Sequence, residues 1–241
     1  MFLFTGSAPL VEIMAHTGFD FVIIDIEHSV IAIEDSTHLV RAAEASGLIP
    51  IIRLPELTPY VVGKALDTGV TGIMFSHIRN KEDAELAVRL TKYPPQGERS
   101  MCTAIRASGY ASAGWSDFQR RANEETMVIA LIEDKDAVER MDEIASVPGI
   151  DVLFVGPGDL SQSLGAGDRG HEHPAVRAAT QRSVELARAN GQVAMSVPYP
   201  TVSPESATDL MKLGVQLIAY SIDERVFFNA CQSVIRALRP Q

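Results

Sequence analysis

Acidic, basic and histidine residues stand directly after several short apolar segments of this chain. Two of the carboxylates, Glu133 and Asp159, are suited to holding a hard divalent cation such as Mg²⁺ or Mn²⁺, with positions left for water and substrate. Arg53 suits an anionic oxygen that develops during a reaction. His28, with Asp25 close by to orient it, suits proton transfer near neutral pH. Together these groups predict a site that makes an enolate from a 2-oxo acid.

The apolar segments before these residues are predicted to be β-strands, and they alternate with helical patterns. Most are continuous apolar runs, which is typical of strands buried on both faces of a parallel sheet. Eight of them favour a closed barrel, so the predicted fold is an α/β protein, a (β/α)8 TIM barrel that forms a single catalytic domain over residues 1–241. The predicted strands are Leu3–Thr5, Phe21–Asp25, Ile49–Arg53, Gly72–Phe75, Met127–Ile132, Val152–Val155, Val193–Ser196 and Leu217–Tyr220.

Capping residues mark the helices between the strands. Thr58 and Pro59 form an N-cap pair, and Asn80 is a second N-cap. Residues of about 93–125 have no clear strand, and a connection that long is usually functional or disordered, so we expect an ordered loop insertion that helps to form a site or an interface. Helices are predicted at about Asp35–Ser46, Pro59–Thr68, Lys81–Thr91, Asp134–Ile144, Ala175–Ala189, Glu205–Leu213 and Glu224–Leu238.

The composition limits the classes of partner. A formal net charge of −10 disfavours nucleic acid and anionic membrane, because both reward positive charge. The first residues lack the features of a signal peptide, and no apolar run is long enough to span a bilayer. Two distant cysteines, Cys102 and Cys231, are expected to be reduced thiols. We therefore expect a cytoplasmic protein.

Several other patterns have a plainer interpretation than they first suggest. Gly165–Gly170 fits the G-x-G-x-x-G spacing but does not follow a strand directly, which argues against dinucleotide binding. His171 and His173 are expected in a solvated loop, His77 at the rim of the barrel, and Glu27 as a brace of its loop. A Schiff-base mechanism needs a lysine at the site, but none of the five ends a strand, and four are expected in outer helices: Lys64, Lys81, Lys92 and Lys212, with Lys135 entering a helix.

Motifs in a fixed order along nearly the whole chain resemble those of the HpcH/HpaI aldolase family, the metal-dependent pyruvate aldolases. They include the strand that leads into Asp25-Ile26-Glu27-His28, and the Gly-Pro-Gly-Asp turn at 156–159. Their order and spacing together are specific to this family. The remaining motifs are Arg53-Leu54-Pro55-Glu56, Leu66-Asp67-Thr68-Gly69, Tyr93-Pro94-Pro95-Gln96-Gly97-Glu98-Arg99, Ile132-Glu133 and Val147-Pro148-Gly149-Ile150-Asp151.

The resemblance implies a reversible retro-aldol cleavage of a 4-hydroxy-2-oxo acid to pyruvate and an aldehyde, through a metal-bound pyruvate enolate. It also implies a divalent cation (Mg²⁺, Mn²⁺ or Co²⁺) and a homo-oligomer, a hexamer built as a trimer of dimers. The residue roles that it implies are metal ligation by Glu133 and Asp159, enolate stabilisation by Arg53, proton transfer by His28 with Asp25, contact from a neighbouring subunit by Asp67, and carboxylate binding by the amides of Gly158 and Asp159.

Three departures from the family pattern bear on the second substrate. Leu131 replaces a glutamine that often contacts substrate in the family, Ser100 stands where glycine is usual, and Ser76 stands where proline is common. These changes leave the implied metal and base positions intact. The alternatives are an oxaloacetate decarboxylase or related enolate-forming lyase, and a non-catalytic binding barrel.

Overall fold

Eight parallel strands form one sheet in chain order in the computed structural model, which describes residues 1–111 and 113–239. Phe2 in the first strand also bridges to Ile222, and its backbone N–H donates to the Ser221 carbonyl at 2.9 Å, which joins the two ends of the sheet. The predicted single-domain barrel is confirmed. Its strands are β1 (Phe2–Leu3), β2 (Phe21–Asp25), β3 (Ile49–Leu54), β4 (Gly72–Phe75), β5 (Met127–Ile132), β6 (Val152–Val155), β7 (Val193–Ser196) and β8 (Leu217–Ile218).

Helices connect the strands and cover the outside of the sheet. The predicted caps are confirmed, because the Thr58 hydroxyl accepts from the Val61 amide and Asn80 accepts from the Asp83 amide. Among the described residues, no helix is long and apolar enough to cross a membrane. The helices are α1 (Ala8–His16), α2 (Ile33–Ala45), α3 (Pro59–Asp67), α4 (Lys81–Thr91), α5 (Trp115–Glu125), α6 (Lys135–Glu139), α7 (Met141–Ala145), α8 (Pro157–Ser163), α9 (Pro174–Asn190), α10 (Pro204–Leu213) and α11 (Asp223–Leu238), with 3-10 turns at Arg106–Ser108 and Gly170–Glu172.

The core has two layers because successive side chains of a strand point to opposite faces of the sheet. One layer fills the space between the strands and the helices, and it contains Val22 and Ile24 of β2. The other layer fills the inside of the barrel, and it contains the alternate residues Phe21 and Ile23. Strands buried on both faces explain the continuous apolar runs in the sequence.

The segment predicted as a loop insertion at 93–125 contains the helix α5. Tyr93 packs against Trp115 and Phe118 of this segment, with ring centroids 5.3 and 6.0 Å away. Helix α5 was not predicted because it has no fully buried residue, so its sequence lacks a wide apolar stripe. The aromatic contacts fix the segment on the barrel instead.

Lys92 lies among the helices outside the barrel, as predicted from the sequence, but it is buried there. It follows the last residue of α4, and its ammonium donates to the carbonyls of Asn123 and Thr126 at 2.7 and 2.6 Å. Burial lowers the pKa of Lys92. These bonds tie the end of α4 to the end of α5, so Lys92 has a structural part away from the barrel mouth.

Candidate active site

Side chains alternate between the two faces of each strand, and this alternation places several polar side chains at one mouth of the barrel. In each of the strands β2 to β6, the inward-facing residue that follows the last inward apolar residue is polar or glycine, and it lies where the strand ends. Such a position faces the space that the strands enclose. The inward pairs are Ile23 and Asp25 in β2, Ile51 and Arg53 in β3, Met74 and Ser76 after β4, Leu131 and Glu133 after β5, and Phe154 and Gly156 after β6.

Arg53 is the centre of a buried ion-pair network. Its Nε and Nη2 both contact Oδ2 of Asp25, and its Nη1 lies 3.1 Å from Oε2 of Glu27. The guanidinium carbon also lies 4.9 Å from the ring centroid of Phe2. Because the Asp25 side chain is fully buried, the arginine supplies the charge that this carboxylate needs. The network holds the planar guanidinium in a fixed orientation.

His28 stands at the edge of this network, and Asp25 does not contact its ring. The Asp25 carboxylate accepts the backbone N–H of His28 at 2.7 Å, while the ring Nε2 lies 3.6 Å from Oε2 of Glu27. The side chain of His28 is 57% exposed, so it is open to the cavity and to solvent. Asp25 therefore fixes the loop that carries His28, and the expectation that it orients the imidazole directly is wrong.

Glu133 is a buried carboxylate held by His77. Its Oε1 accepts the backbone N–H of His77 at 2.8 Å, and the ring Nδ1 of His77 lies 2.9 Å from the same oxygen. Burial raises the pKa of Glu133 to about 8, the His77 amide opposes the shift, and the negative charges of Glu27 and Asp159 add to it. A buried site with this much negative charge favours a bound cation.

Glu27 joins the two halves of the site, a role that exceeds the loop brace expected from the sequence. It accepts a hydrogen bond from the Ser76 hydroxyl at 2.7 Å and lies 3.3 Å from Nε2 of His77. His77 is therefore more than a rim residue, because it contacts two carboxylates. Only the positions of Glu27 and His77 in the sequence could have indicated these roles. Both residues follow the ends of strands, where barrels of this kind have their catalytic residues.

Three side chains of the site could together bind a metal ion. Glu27, His77 and Glu133 each offer a ligand atom, and these atoms lie within 4.8 Å of one another. Asp159 stands outside this group, but its charge acts on Glu133. Carboxylate oxygens with an imidazole nearby suit a divalent cation of the Mg²⁺ or Mn²⁺ type. The residues present therefore fit a cation at Glu133.

A turn after β6 brings Gly158 and Asp159 to the same mouth. Both lie in the first turn of α8, and Asp159 is exposed. Gly156 precedes them, and a Cβ there would lie 3.2 Å from Cβ of Glu133 and 3.1 Å from Cδ1 of Leu131. A side chain at position 156 would thus crowd Glu133, which explains why glycine suits this place.

A cavity of about 270 Å³ connects these groups. His28, Arg53 and Glu133 line it together with Gly158 and Asp159, so the structure brings most of the predicted site residues together. Asp25 lies beneath Arg53. Asp67 does not line the cavity, because it ends α3 and its carboxylate lies 3.3 Å from Arg99. The other lining residues are mostly apolar, with Arg225 as a second arginine: Phe2, Phe4, Leu131, Phe154, Pro157, Val197, Pro198, Tyr199, Val202, Ser221, Ile222 and Arg225.

The glycine-rich segment after α8 has a structural role. Residues 164–169 form a turn region that follows a helix, which is the wrong context for a dinucleotide fold. His171 is half-buried, and its ring contacts the Tyr199 carbonyl at 3.2 Å and the Thr180 hydroxyl at 3.1 Å. The expectation of a solvated loop is wrong for His171, and His173 caps α9.

Comparison with known proteins identifies the family of this chain. A sequence model of the family described as HpcH/HpaI aldolase/citrate lyase matches residues 1–230. The chain is 35% identical to a hydroxypyruvate/pyruvate aldolase of Paraburkholderia phytofirmans over 99% of this chain and 92% of that protein. It is 32% identical to a 2-dehydro-3,6-dideoxy-6-sulfogluconate aldolase of Pseudomonas putida over 98% of this chain and 91% of that protein.

A solved structure shares both the fold and the family. It is an HpcH/HpaI aldolase/citrate lyase family protein from Burkholderia cenocepacia, which superposes with a TM-score of 0.90 at 32% identity over 99% of this chain and 93% of that chain. The family match covers nearly the whole chain, and the named relatives are aldolases. This chain is therefore a carbon–carbon lyase that belongs to the HpcH/HpaI aldolase/citrate lyase family.

Proposed function

We propose that this protein is a metal-dependent aldolase that splits a 4-hydroxy-2-oxo acid into pyruvate and an aldehyde, and catalyses the reverse addition. The observation that carries the proposal is the meeting of Glu133, Asp159, Arg53 and His28 around one cavity. We choose pyruvate as the 2-oxo acid because its carboxylate and its keto oxygen are suited to contact a cation at Glu133 and the guanidinium of Arg53. The name of the Paraburkholderia relative, a hydroxypyruvate/pyruvate aldolase, supports this choice.

Glu133 and Asp159 are the proposed protein ligands of the divalent cation. When bound, the cation would stabilise negative charge on the oxygens of the substrate. The buried Glu133 carboxylate supports this assignment, because burial is the main cause that raises its pKa and a bound cation would stabilise its ionised form. The Gly158 and Asp159 amides, in the first turn of α8, are proposed to donate to the pyruvate carboxylate.

Arg53 and His28 have separate proposed roles in enolate formation. Arg53 presents a fixed guanidinium to the keto oxygen, where negative charge grows as C3 loses its proton. His28 is exposed at the cavity wall, so its ring nitrogen is free to accept that proton. Asp25 serves both residues, because it pairs with Arg53 and fixes the backbone of His28.

Metal removal tests the proposal directly. We expect chelation by excess EDTA to abolish pyruvate methyl proton exchange and aldol cleavage, and Mg²⁺, Mn²⁺ or Co²⁺ to restore both. Full activity in EDTA, or a pyruvate adduct on a lysine after borohydride treatment, would contradict a metal mechanism. A parallel incubation with oxaloacetate separates the alternative: rapid decarboxylation without aldol cleavage would favour a decarboxylase.

Asp67 is proposed to act in the site of a neighbouring subunit, within a homo-oligomer. Its carboxylate is 39% exposed and lies outside the cavity of its own chain, which leaves it accessible to a partner. If this is so, mixing Asp67→Asn subunits with inactive His28→Ala subunits should restore activity in mixed oligomers. No complementation, or a monomer in sedimentation, would contradict the role.

A further inference from the structure

The loop of residues 197–202, between β7 and α10, borders two cavities. Val197, Pro198, Tyr199 and Val202 line the active-site cavity of about 270 Å³. Pro198 and Tyr199 also line a second cavity of about 160 Å³. A loop with a cavity on two sides has few packing contacts that fix its position. The shape of this wall of the active site therefore depends on the groups that hold the loop.

His171 holds this loop with two hydrogen bonds. Its backbone N–H and its ring Nδ1 both contact the carbonyl oxygen of Tyr199, at 3.0 and 3.2 Å. Among the described residues, these are the only hydrogen bonds that join residues 197–202 to another part of the protein. Gly170 packs against the same peptide group, because a Cβ at this position would lie 2.5 Å from the Tyr199 carbonyl oxygen. Glycine at position 170 thus lets His171 approach the loop.

Two buried hydroxyl groups fix the orientation of the His171 ring. Its Nε2 lies 3.1 Å from the hydroxyl of Thr180 and 3.4 Å from that of Ser196, and both of these residues are fully buried. A carbonyl oxygen can only accept, so Nδ1 carries the proton in the bond to Tyr199, and Nε2 accepts from a hydroxyl. Burial is the main cause that lowers the pKa of His171, so the ring is neutral near neutral pH. Its single N–H is therefore directed to the loop.

The turn that carries His171 is also anchored to α8, the helix of Asp159. The backbone N–H of Gly170 donates to the hydroxyl of Ser161 at 3.1 Å, and Ser161 is a fully buried residue of α8. This bond and the backbone bond of His171 do not involve the imidazole. A change of the His171 side chain should therefore act on the loop of residues 197–202 and leave α8 in place.

We propose that His171 is a positioning residue of the active site, which holds residues 197–202 as a wall of the space that pyruvate leaves for the second substrate. This inference rests on the proposed aldolase function, in which pyruvate contacts Arg53 and a cation at Glu133. His171 itself contacts no reacting atom in this scheme. Loss of its ring hydrogen bond should weaken binding of the larger substrate about three- to tenfold, the usual effect of one such bond.

Two neutral amide side chains distinguish the two ring nitrogens in the whole protein with Mg²⁺. His171→Asn places an amide N–H near the position of Nδ1 and keeps the bond to Tyr199, whereas His171→Gln places it near Nε2 and loses that bond. For cleavage of 4-hydroxy-2-oxopentanoate to pyruvate and acetaldehyde, we expect His171→Gln to raise KM about three- to tenfold, and His171→Asn to keep the wild-type KM. Both variants should exchange the methyl protons of pyruvate for deuterium at the wild-type rate. His38→Gln, at an exposed histidine of α2, is the control and should change neither quantity.

The mobility of the loop provides a readout that does not depend on activity. Methyl relaxation of Val197 and Val202, followed by NMR without substrate, should show greater mobility in His171→Gln and wild-type mobility in His171→Asn. A merely structural role of His171 would lower Tm in both variants without changing KM or this mobility.

The failure of this inference is distinguishable from the failure of the proposed function. An unchanged KM in His171→Gln, an equal rise of KM in His171→Asn, or an equal loss of pyruvate exchange would overturn the inference. If the wild type does not cleave the acid, the proposed function fails for this substrate, and the methyl mobility alone decides. A rise of mobility in His171→Gln but not in His171→Asn then supports the positioning role, and any other result overturns it.

Discussion

His77 and Glu133 meet twice at one oxygen, since Oε1 of Glu133 contacts both the backbone N–H and the ring Nδ1 of His77. The other oxygen, Oε2, lies on the side of Gly156 at the cavity wall. His77 has a φ of 57°, a left-handed conformation that aims its amide and its ring at the same atom. The pair therefore presents one oxygen of a buried carboxylate to the cavity and holds the other.

Removing the His77 ring should weaken cation binding about 10- to 100-fold, the usual cost of losing a group that orients a metal ligand. His77→Gly is the suitable change, because glycine accepts the positive φ and keeps the backbone N–H. Mn²⁺ titration followed by electron paramagnetic resonance measures the affinity. His38→Ala, an exposed histidine of α2, is the control, and an unchanged affinity in His77→Gly would show that the ring does not orient Glu133.

Neutralising either proposed ligand should have a larger effect. Glu133→Gln and Asp159→Asn each remove one negative charge, so Mn²⁺ affinity should fall by more than the roughly 10- to 100-fold that loss of an outer group costs. Asp168→Asn changes an exposed carboxylate of the nearby loop and should leave the affinity unchanged. Wild-type affinity in both ligand variants would place the cation elsewhere.

The sequence predicted the barrel well because the information is local and repeated. Val152–Val155 and Met127–Ile132 are buried on both faces, and the structure has both strands at the predicted bounds. Residues that end these strands, such as Glu133, were found for the same reason. Helix α5 was missed because tertiary contacts, such as Tyr93 with Trp115, stabilise it more than its own pattern does.

The sequence indicated which residues belong to the site more readily than it indicated which of them contact each other. Glu27 and His77 belong to different strand ends, and nothing in either local sequence shows that they meet. The sequence also suggested the His28 ring as the partner of the Asp25 carboxylate. In the structure this carboxylate pairs with Arg53, which lies opposite Asp25 on the neighbouring strand. Distances across a barrel depend on side-chain conformations that a single sequence does not specify.

His28→Ala should slow proton transfer and leave cation binding nearly intact. The ring is exposed and contacts Glu27 only at 3.6 Å, so its loss should not disturb the buried network. A missing general base costs about 10²- to 10⁴-fold, and we expect pyruvate deuterium exchange to slow by this factor. NMR follows the exchange, and Mn²⁺ titration is the control. Exchange at the wild-type rate would assign the base to another residue.

His171 should make the protein less stable as the pH falls. Burial is the main cause that lowers the pKa of His171 below its ordinary value of 6.5, so the unfolded chain takes up a proton at a higher pH than the folded one. Stability that is present above pH 6.5 is then lost as the pH falls through 6.5 towards the folded value. We expect Tm to fall less between pH 7 and pH 5 in His171→Gln than in the wild type. His38→Ala should keep the wild-type slope, and an equal slope in His171→Gln would contradict the burial argument.

Arg53→Lys should slow enolate formation more than it weakens pyruvate binding. Alanine is the poorer test, because it leaves Asp25 and Glu27 buried without their partner, a change that costs about 3–5 kcal/mol and endangers folding. Lysine keeps the charge but has no planar fork, so it cannot serve two carboxylates and the substrate together.

The expected signature is a fall in kcat of about 10²- to 10³-fold that exceeds any rise in KM, because the arginine acts where negative charge grows in the transition state. Deuterium exchange of the pyruvate methyl group should slow by a similar factor in the absence of aldehyde. Circular dichroism checks folding, and Arg140→Lys, at an exposed arginine between α6 and α7, is the control for the same substitution elsewhere. If Arg53→Lys exchanges protons at the wild-type rate, the guanidinium serves Asp25 and Glu27 alone, and another group must stabilise the enolate.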